Sequence, residues 1–249
     1  MAQKFDRHEV LWTDAAIANL WDHYAATLTP DKYFSYHTGQ FLVRRFRPLL
    51  PPDAAVLDFG CGPGYLVSHL LRAFPGGTVH AMDFSEESVA RTNAAHAATP
   101  GFKGAVRATD FPLPFPDASM DAVFSVEVIE HLRDEQLAGM LREVRRLLKP
   151  GGLFCVTTPH REDLAATRTI CPECGCTFHL WQHIRSWDVA SLRALLTDGG
   201  LDCLDVRACR FESRRQALFD RLVRALHALQ GRSDPVVLPH LYGIARKHG

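Results

Sequence analysis

Apolar residues recur at three- to four-residue spacing through Trp12, Ala16, Leu20 and Tyr24, which predicts a helix over residues 10–28. A second helix is expected over 38–50, stopped by Pro51 and Pro52. The pattern then changes. Short apolar runs at 55–59, 78–83, 103–108, 122–126 and 153–157 read as strands. Helical or connecting segments separate them, near 63–74 and 86–97, in a Pro-rich loop at 111–117, and over 133–148. This repeated strand-then-helix order predicts a mostly parallel sheet covered on both faces. Residues 160–185 break the rhythm with Cys, His and Pro and read as an insertion. A helix over 188–198, a Gly199-Gly200 stop and a strand over 201–209 restore it. An amphipathic helix over 212–230 and a last strand over 236–247 complete the series. No internal repeat and no low-complexity linker is visible, so one domain over 1–249 is expected.

The chemistry concentrates where the first of these strands meets its helix, at Asp58-Phe59-Gly60-Cys61-Gly62-Pro63-Gly64. Glycines at a strand-to-helix turn let a ligand approach the backbone. Pro63 suits a first helical turn, where its missing N–H costs nothing. A dinucleotide loop needs G-x-G-x-x-G, whereas here the spacing is G-x-G-x-G, and Asp58 would repel a pyrophosphate. A carboxylate there suits a cationic ligand, and S-adenosylmethionine carries both an ammonium and a sulfonium. Asp83, about 20 residues further on, is placed to accept from both ribose hydroxyls. Asp110 can accept from the adenine amino group while Phe111 offers an apolar face to the ring. Either aspartate alone could merely cap a helix or turn; the glycine loop in register favours the nucleoside reading.

On these residues the chain resembles the class I S-adenosylmethionine-dependent methyltransferases. It shares their GCGxG loop at Gly60–Gly64, LPFPDASMD at 113–121, Glu130-His131-Leu132, and LLKPGGLFCVTTP at 147–159. The resemblance covers roughly 54–160, with quinone-pathway O-methyltransferases among the groups resembled. It implies an α/β Rossmann-like fold whose seven-stranded sheet is mostly parallel, with the last strand antiparallel. An N-terminal helical lid (1–50), a cofactor-binding core (54–160), the Cys/His insertion (160–187) and the end of the sheet (188–249) would make up the domain. Asp58, Gly60, Cys61, Gly62, Gly64, Asp83, Phe84, Asp110 and Phe111 are then the cofactor residues. Val126, ending the fourth strand, would lie beside the methionine part.

Transfer from a sulfonium is an in-line displacement, so alignment is the main task, but an acceptor hydroxyl or amine must still lose a proton. His131 is the first candidate base, with Glu127 beside it; a histidine that only bonds backbone at a helix start is the plainer alternative. Glu127-Val128-Ile129-Glu130-His131 also resembles the E-x-x-E-H pattern of metal-dependent O-methyltransferases of quinones and of small-RNA 3′ ends. In the RNA group a later histidine in an H-x-x-x-W context completes the site, and His183-Ile184-Arg185-Ser186-Trp187 has that spacing. Glu127, Glu130, His131 and His183 would then hold Mg²⁺ or Mn²⁺. Separately, Cys171-Pro172-Glu173-Cys174-Gly175-Cys176 forms a knuckle suited to zinc. Two ligand sets are open: Cys171, Cys174, Cys176 and His179, or Cys171, Cys174, His179 and His183. Four protein ligands would make that zinc structural.

Composition narrows the setting. The chain has 249 residues, 47% hydrophobic, with a formal net charge of zero. That disfavours duplex DNA and weighs against RNA as partner. Seven cysteines, three crowded together, suit a reduced compartment; with no signal peptide or apolar span visible, a cytoplasmic protein is expected. The aromatics Trp12, Trp21, Tyr24, Tyr33, Phe34 and Tyr36, with His37, can form a lid over a small acceptor or simply pack the helices. The helix at 212–230 covers the sheet or meets a membrane or second subunit. Three functions are open: a small-molecule methyltransferase acting at oxygen, an RNA or protein methyltransferase, or a non-catalytic cofactor binder of this fold.

Overall fold

The computed structural model describes residues 6–211 and 238–249. Its main sheet contains strands β2 (Ala55–Phe59), β3 (Thr78–Asp83), β4 (Phe102–Arg107), β5 (Met120–Val126), β6 (Leu148–Pro159), β9 (Asp202–Cys209) and β10 (His240–Arg246). Their order is β4-β3-β2-β5-β6-β10-β9, parallel except for β10, which runs antiparallel to both its neighbours. The expected strands are present, with β4 one residue earlier and β6 longer at both ends than their apolar runs suggested.

Helices cover both faces because both faces are apolar. Leu42, Phe46, Leu66, Leu70, Phe74 and Phe124 pack on one side, against α2 (Phe34–Phe46) and α3 (Tyr65–Ala73). Leu57, Met140, Val144, Phe154, Leu192 and Leu196 pack on the other, against α5 (Asp134–Leu147) and α6 (Val189–Asp198). The side chains of β2 are therefore buried nearly end to end, as expected of a central parallel strand. Local signals set the helix starts. Ser85 accepts from the Ser88 N–H at the head of α4 (Glu86–His96), with Glu86 and Glu87 favourably placed at the positive end of its dipole. Asp188 and Ser191 form a reciprocal capping box on α6.

The N-terminal segment differs from the expected single helix. Thr13 accepts from the Ala16 N–H, so α1 begins only at Asp14 and runs to Thr27. Before it, β1 (His8–Glu9) pairs in parallel with β8 (Cys176–His179), which pairs antiparallel with β7 (Arg168–Ile170). The Cys/His insertion is therefore a hairpin in a separate three-stranded sheet. The second helix starts at Phe34, earlier than expected, and yields at Arg47–Leu49 to a tighter turn containing Pro48. The amphipathic helix at 212–230, its membrane or dimer contact, and the first residues of the 236–247 strand lie outside the described residues. Among the described residues, no helix is long and apolar enough to cross a membrane.

Sheet order decides where a ligand can enter. From β2 the chain builds outward through β3 and β4, then returns to place β5 on the other side of β2. Such a reversal opens a crevice beyond the carboxyl ends of the two strands, where ligands bind in open α/β sheets.

Candidate active site

A cavity of about 580 Å³ occupies that crevice. One wall is the turn after β2. The Gly60 and Cys61 N–H groups both donate to the Met82 carbonyl, tying the turn to the end of β3. Gly60 has φ 80°, and a Cβ there would meet Val128 Cγ2 at 2.6 Å. Gly62, at φ 51°, would put its Cβ into nearly open space, with only Tyr33 nearby at 3.8 Å. The first glycine is thus demanded by packing, while the second leaves bare backbone facing the cavity. Gly64 heads α3 and does not line the cavity.

Asp83 ends β3 with both carboxylate oxygens engaged: Oδ2 accepts from Gly62 N at 2.8 Å and Oδ1 from Ser85 N at 2.9 Å. Each oxygen keeps a second lone pair for a ligand hydroxyl. Burial pushes its pKa up to about 6, against the lowering by those N–H donors. Phe84, Asp110, Phe111 and Val126 also line the cavity, as do Gly60, Cys61 and Gly62. Phe111 stacks at 6.4 Å on Phe59 and is 39% exposed.

Asp58 departs from expectation. It does not line the cavity but lies beneath the turn, 1% exposed, with Oδ2 unpartnered among the described residues. Burial, then the charge of Asp83, lifts its pKa to about 8. Cys61 likewise turns its thiol inward, 3.7 Å from Thr92 Oγ1, and offers the cavity mainly backbone.

The opposite wall lies along β5. Glu127 stands in left-handed backbone (φ 53°), its N–H held by the Thr157 carbonyl, and its Oε2 lies 3.5 Å from His240 Nδ1 on β10. It lines the cavity but does not join the ligand-type atoms of Glu130, His131 and His183, which lie within 4.8 Å of one another. Three of the four expected metal residues are therefore gathered, and the fourth is drawn aside. Glu130 is 1% exposed; Oε2 accepts from Thr158 Oγ1 at 2.9 Å, while Oε1 lacks a partner among the described residues. Burial, reinforced by the Glu127 charge, pushes its pKa well up.

His131 lines the cavity as part of this group. Burial, and then the nearby His183, drive its pKa down to about 3, so the ring is uncharged at neutral pH. Its ring meets Trp21 edge-on at 4.9 Å, and Trp21 Nε1 donates to Gln182 Oε1 at 2.8 Å. Gln182 Nε2 in turn donates to the His131 carbonyl at 2.9 Å. This fully buried glutamine joins α1, the loop after β5 and the segment after the hairpin. No motif marks Gln182; its role depends on three distant segments meeting. Tyr24 closes the same corner by donating to the Leu180 carbonyl at 2.5 Å.

The zinc ligands are not brought together with His179. Cys171 donates its N–H to the Cys176 carbonyl at one end of the hairpin, while His179 pairs with Arg168 at the other. Cys176 and His179 are three residues apart on one strand, so alternation sends them to opposite faces. His179, 3% exposed, lies instead 3.4 Å from Glu162 and stacks on His183. The backbone and side chain of Cys174 and the Glu173 N–H lower the Cys171 pKa, as a thiolate-supporting knuckle would.

Comparison with known proteins points to S-adenosylmethionine-dependent methyltransferases. Residues 56–152 match the family model described as a methyltransferase domain. A "Probable S-adenosylmethionine-dependent methyltransferase" of Mycolicibacterium smegmatis is 34% identical over 153 residues, covering 60% of this chain and 52% of that protein. A ubiquinone biosynthesis O-methyltransferase of a Caulobacter species is 41% identical over 108 residues, 43% of this chain and 41% of that protein. The chain spans about half the length of the curated relatives it matches first. The fold alone is shared with the cyclase SpnF, at TM-score 0.64 and 17% identity, covering 98% of this chain and 99% of that one.

Proposed function

The chain belongs to the class I S-adenosylmethionine-dependent methyltransferases, and on that premise we propose that it methylates an oxygen of a small acceptor held in the crevice. The observation that carries this reading is the continuity of the cavity, from the bare backbone at Gly62 to the buried Glu130–His131–His183 group. Asp83 takes the ribose hydroxyls, Asp110 the adenine amino group, and Phe111 the face of the ring. The Gly60–Gly62 backbone and Val126 flank the methionine part, with the sulfonium turned toward β5. Asp58 supports the turn from beneath without touching the ligand, and its burial keeps it largely protonated at neutral pH. The Trp21 and Tyr33 rings close the cavity from the lid side and keep water from the methyl group.

A second reading adds a divalent cation at Glu130, His131 and His183. Its support is the chemistry of the donors: two imidazoles of intermediate burial, one of them held neutral, and a carboxyl oxygen without a hydrogen-bond partner among the described residues. Mg²⁺ or Mn²⁺ bound there would supply Lewis acidity to an acceptor hydroxyl. Cys171, Cys174 and Cys176 are not among the groups of described residues whose ligand-type atoms lie within 4.8 Å of one another, and neither zinc set is assembled. Transfer to RNA or protein is the alternative for the acceptor, and a non-catalytic binder the alternative for the whole chain.

Calorimetric titration with S-adenosylhomocysteine tests the premise: binding is expected, and none would remove the enzymatic reading. Incubating the protein and labelled S-adenosylmethionine with small-molecule and macromolecular fractions of cell extract then separates the acceptor classes. Label in the small-molecule fraction is expected; label only in RNA or protein overturns the acceptor proposed.

A further inference from the structure

No motif points to Glu162. It lies after β6, in the loop before β7, and only folding brings it to His183, where its Oε2 lies 2.5 Å from Nδ1. Its other oxygen is 3.4 Å from His179 Nε2. The three residues could be taken for a metal cluster, since their ligand-type atoms lie within 4.8 Å of one another. Two details decide otherwise. His179 Nδ1 accepts backbone N–H groups from Trp181 at 3.3 Å and His183 at 3.1 Å. The neutral ring then carries its proton on Nε2 and has no lone pair there to give an ion. The 2.5 Å contact between Glu162 and His183 is moreover a direct hydrogen bond, with no space for a cation between the two atoms.

The cluster is better understood as a brace. An imidazole that gives its Nδ1–H to a carboxylate must present a lone pair at Nε2. His183 lines the cavity, with its ring 4.8 Å from that of His131. His179 stacks on it at 4.6 Å and 19°, which hinders rotation of the ring. Carboxylates that hold the outer nitrogen of a ligating histidine fix its tautomer and raise its strength as a donor.

We propose that Glu162 is a positioning residue, which locks His183 in the Nδ1–H tautomer and so turns the Nε2 lone pair toward Glu130 and His131 to complete a divalent-cation site. The proposal rests on the cation reading given above for that site.

Two measurements on the full chain test it, neither needing the acceptor. Long-range nitrogen–proton NMR reads the His183 tautomer in metal-free protein, and electron paramagnetic resonance tracks titration with Mn²⁺ alone. Wild type is expected to show the Nδ1–H tautomer and to bind Mn²⁺. Glu162→Ala should lose the single tautomer and bind Mn²⁺ roughly 10–100-fold more weakly. Glu162→Gln keeps an accepting oxygen without the charge, so it should retain the tautomer and show an intermediate affinity. Wild-type affinity and tautomer in Glu162→Ala would overturn the proposal. Should that variant fail to fold, Glu162→Gln decides alone, and wild-type affinity there overturns it. Wild type that binds no Mn²⁺ yet depends on Glu162 for its tautomer upholds the positioning role and removes the cation reading.

Discussion

The two walls of the crevice are built on different principles. The β2–β3 wall is made by the ends of two neighbouring strands joined by one helix: a glycine turn, and an aspartate whose oxygens accept from Gly62 and Ser85. Most of what it offers a ligand is backbone, held in place by backbone. The β5 wall is made of side chains from Glu130, His131, Gln182 and His183, with Trp21 and Glu162 behind them. These residues meet only through the packing of α1, the β5 loop and the segment after the hairpin. The first wall suits a ligand of fixed chemistry. The second gathers buried titratable groups whose states depend on one another, as a site for varied acceptors requires.

Changes on the first wall should act on cofactor affinity most strongly. Gly60→Ala forces a Cβ against Val128 at a backbone angle alanine avoids. It should cost about 3 kcal/mol, or roughly 100-fold in S-adenosylhomocysteine affinity by calorimetry. An unchanged affinity would show that the turn does not shape the cofactor site. Asp83→Asn should lose about 2 kcal/mol of the same binding, because the ribose hydroxyls lose a charged acceptor. If only thermal stability falls, Asp83 is a brace for the turn and nothing more.

Asp58 gives a smaller effect with a sign that can be checked. Its pKa stands near 8 in the fold and at the ordinary carboxyl value of 3.8 when unfolded. The folded state therefore holds the extra proton between these values. Its contribution to stability is full below about pH 4 and is lost as pH rises through about 8. The melting temperature of the cofactor-free protein should fall across that window, and Asp58→Asn should flatten the slope; an unaltered slope would assign it to other groups. On the second wall, Thr158→Val removes the donor to Glu130 Oε2 and should destabilise the protein by about 1 kcal/mol in urea unfolding. The same variant should leave S-adenosylhomocysteine affinity within about twofold, since Thr158 lies on β6, separated from β2 by β5. A large loss of that affinity would mean that the walls are coupled.

Much of the first wall was legible in the order of residues, because its geometry is local. Glycine spacing, a strand before it and an aspartate after the next strand suffice when backbone makes the site. Asp58 shows the limit even there. Its place in the motif was plain, but its withdrawal beneath the turn depends on how β2 is buried. The second wall was legible only in part. E-x-x-E-H and the later histidine gave three residues that do converge, yet Glu127 leans to His240 on the returning strand β10. The zinc set with His179 failed for a related reason: the three-residue spacing of Cys176 and His179 separates them only because the segment folds as a strand, which the cysteine-histidine pattern did not reveal.

The sequence by itself determined the alternation of strands and helices, the cofactor turn and the carboxylates in register with it. Each depends on periodicity or on a few consecutive backbone angles. Tertiary structure alone decided that residues 8–9 pair with the insertion, that Gln182 bridges three segments, and that Glu162 reaches His183. It also decided that burial holds His131 uncharged at neutral pH. Those outcomes depend on burial and on contacts between residues far apart in the chain, and neither is a property of any short stretch of it.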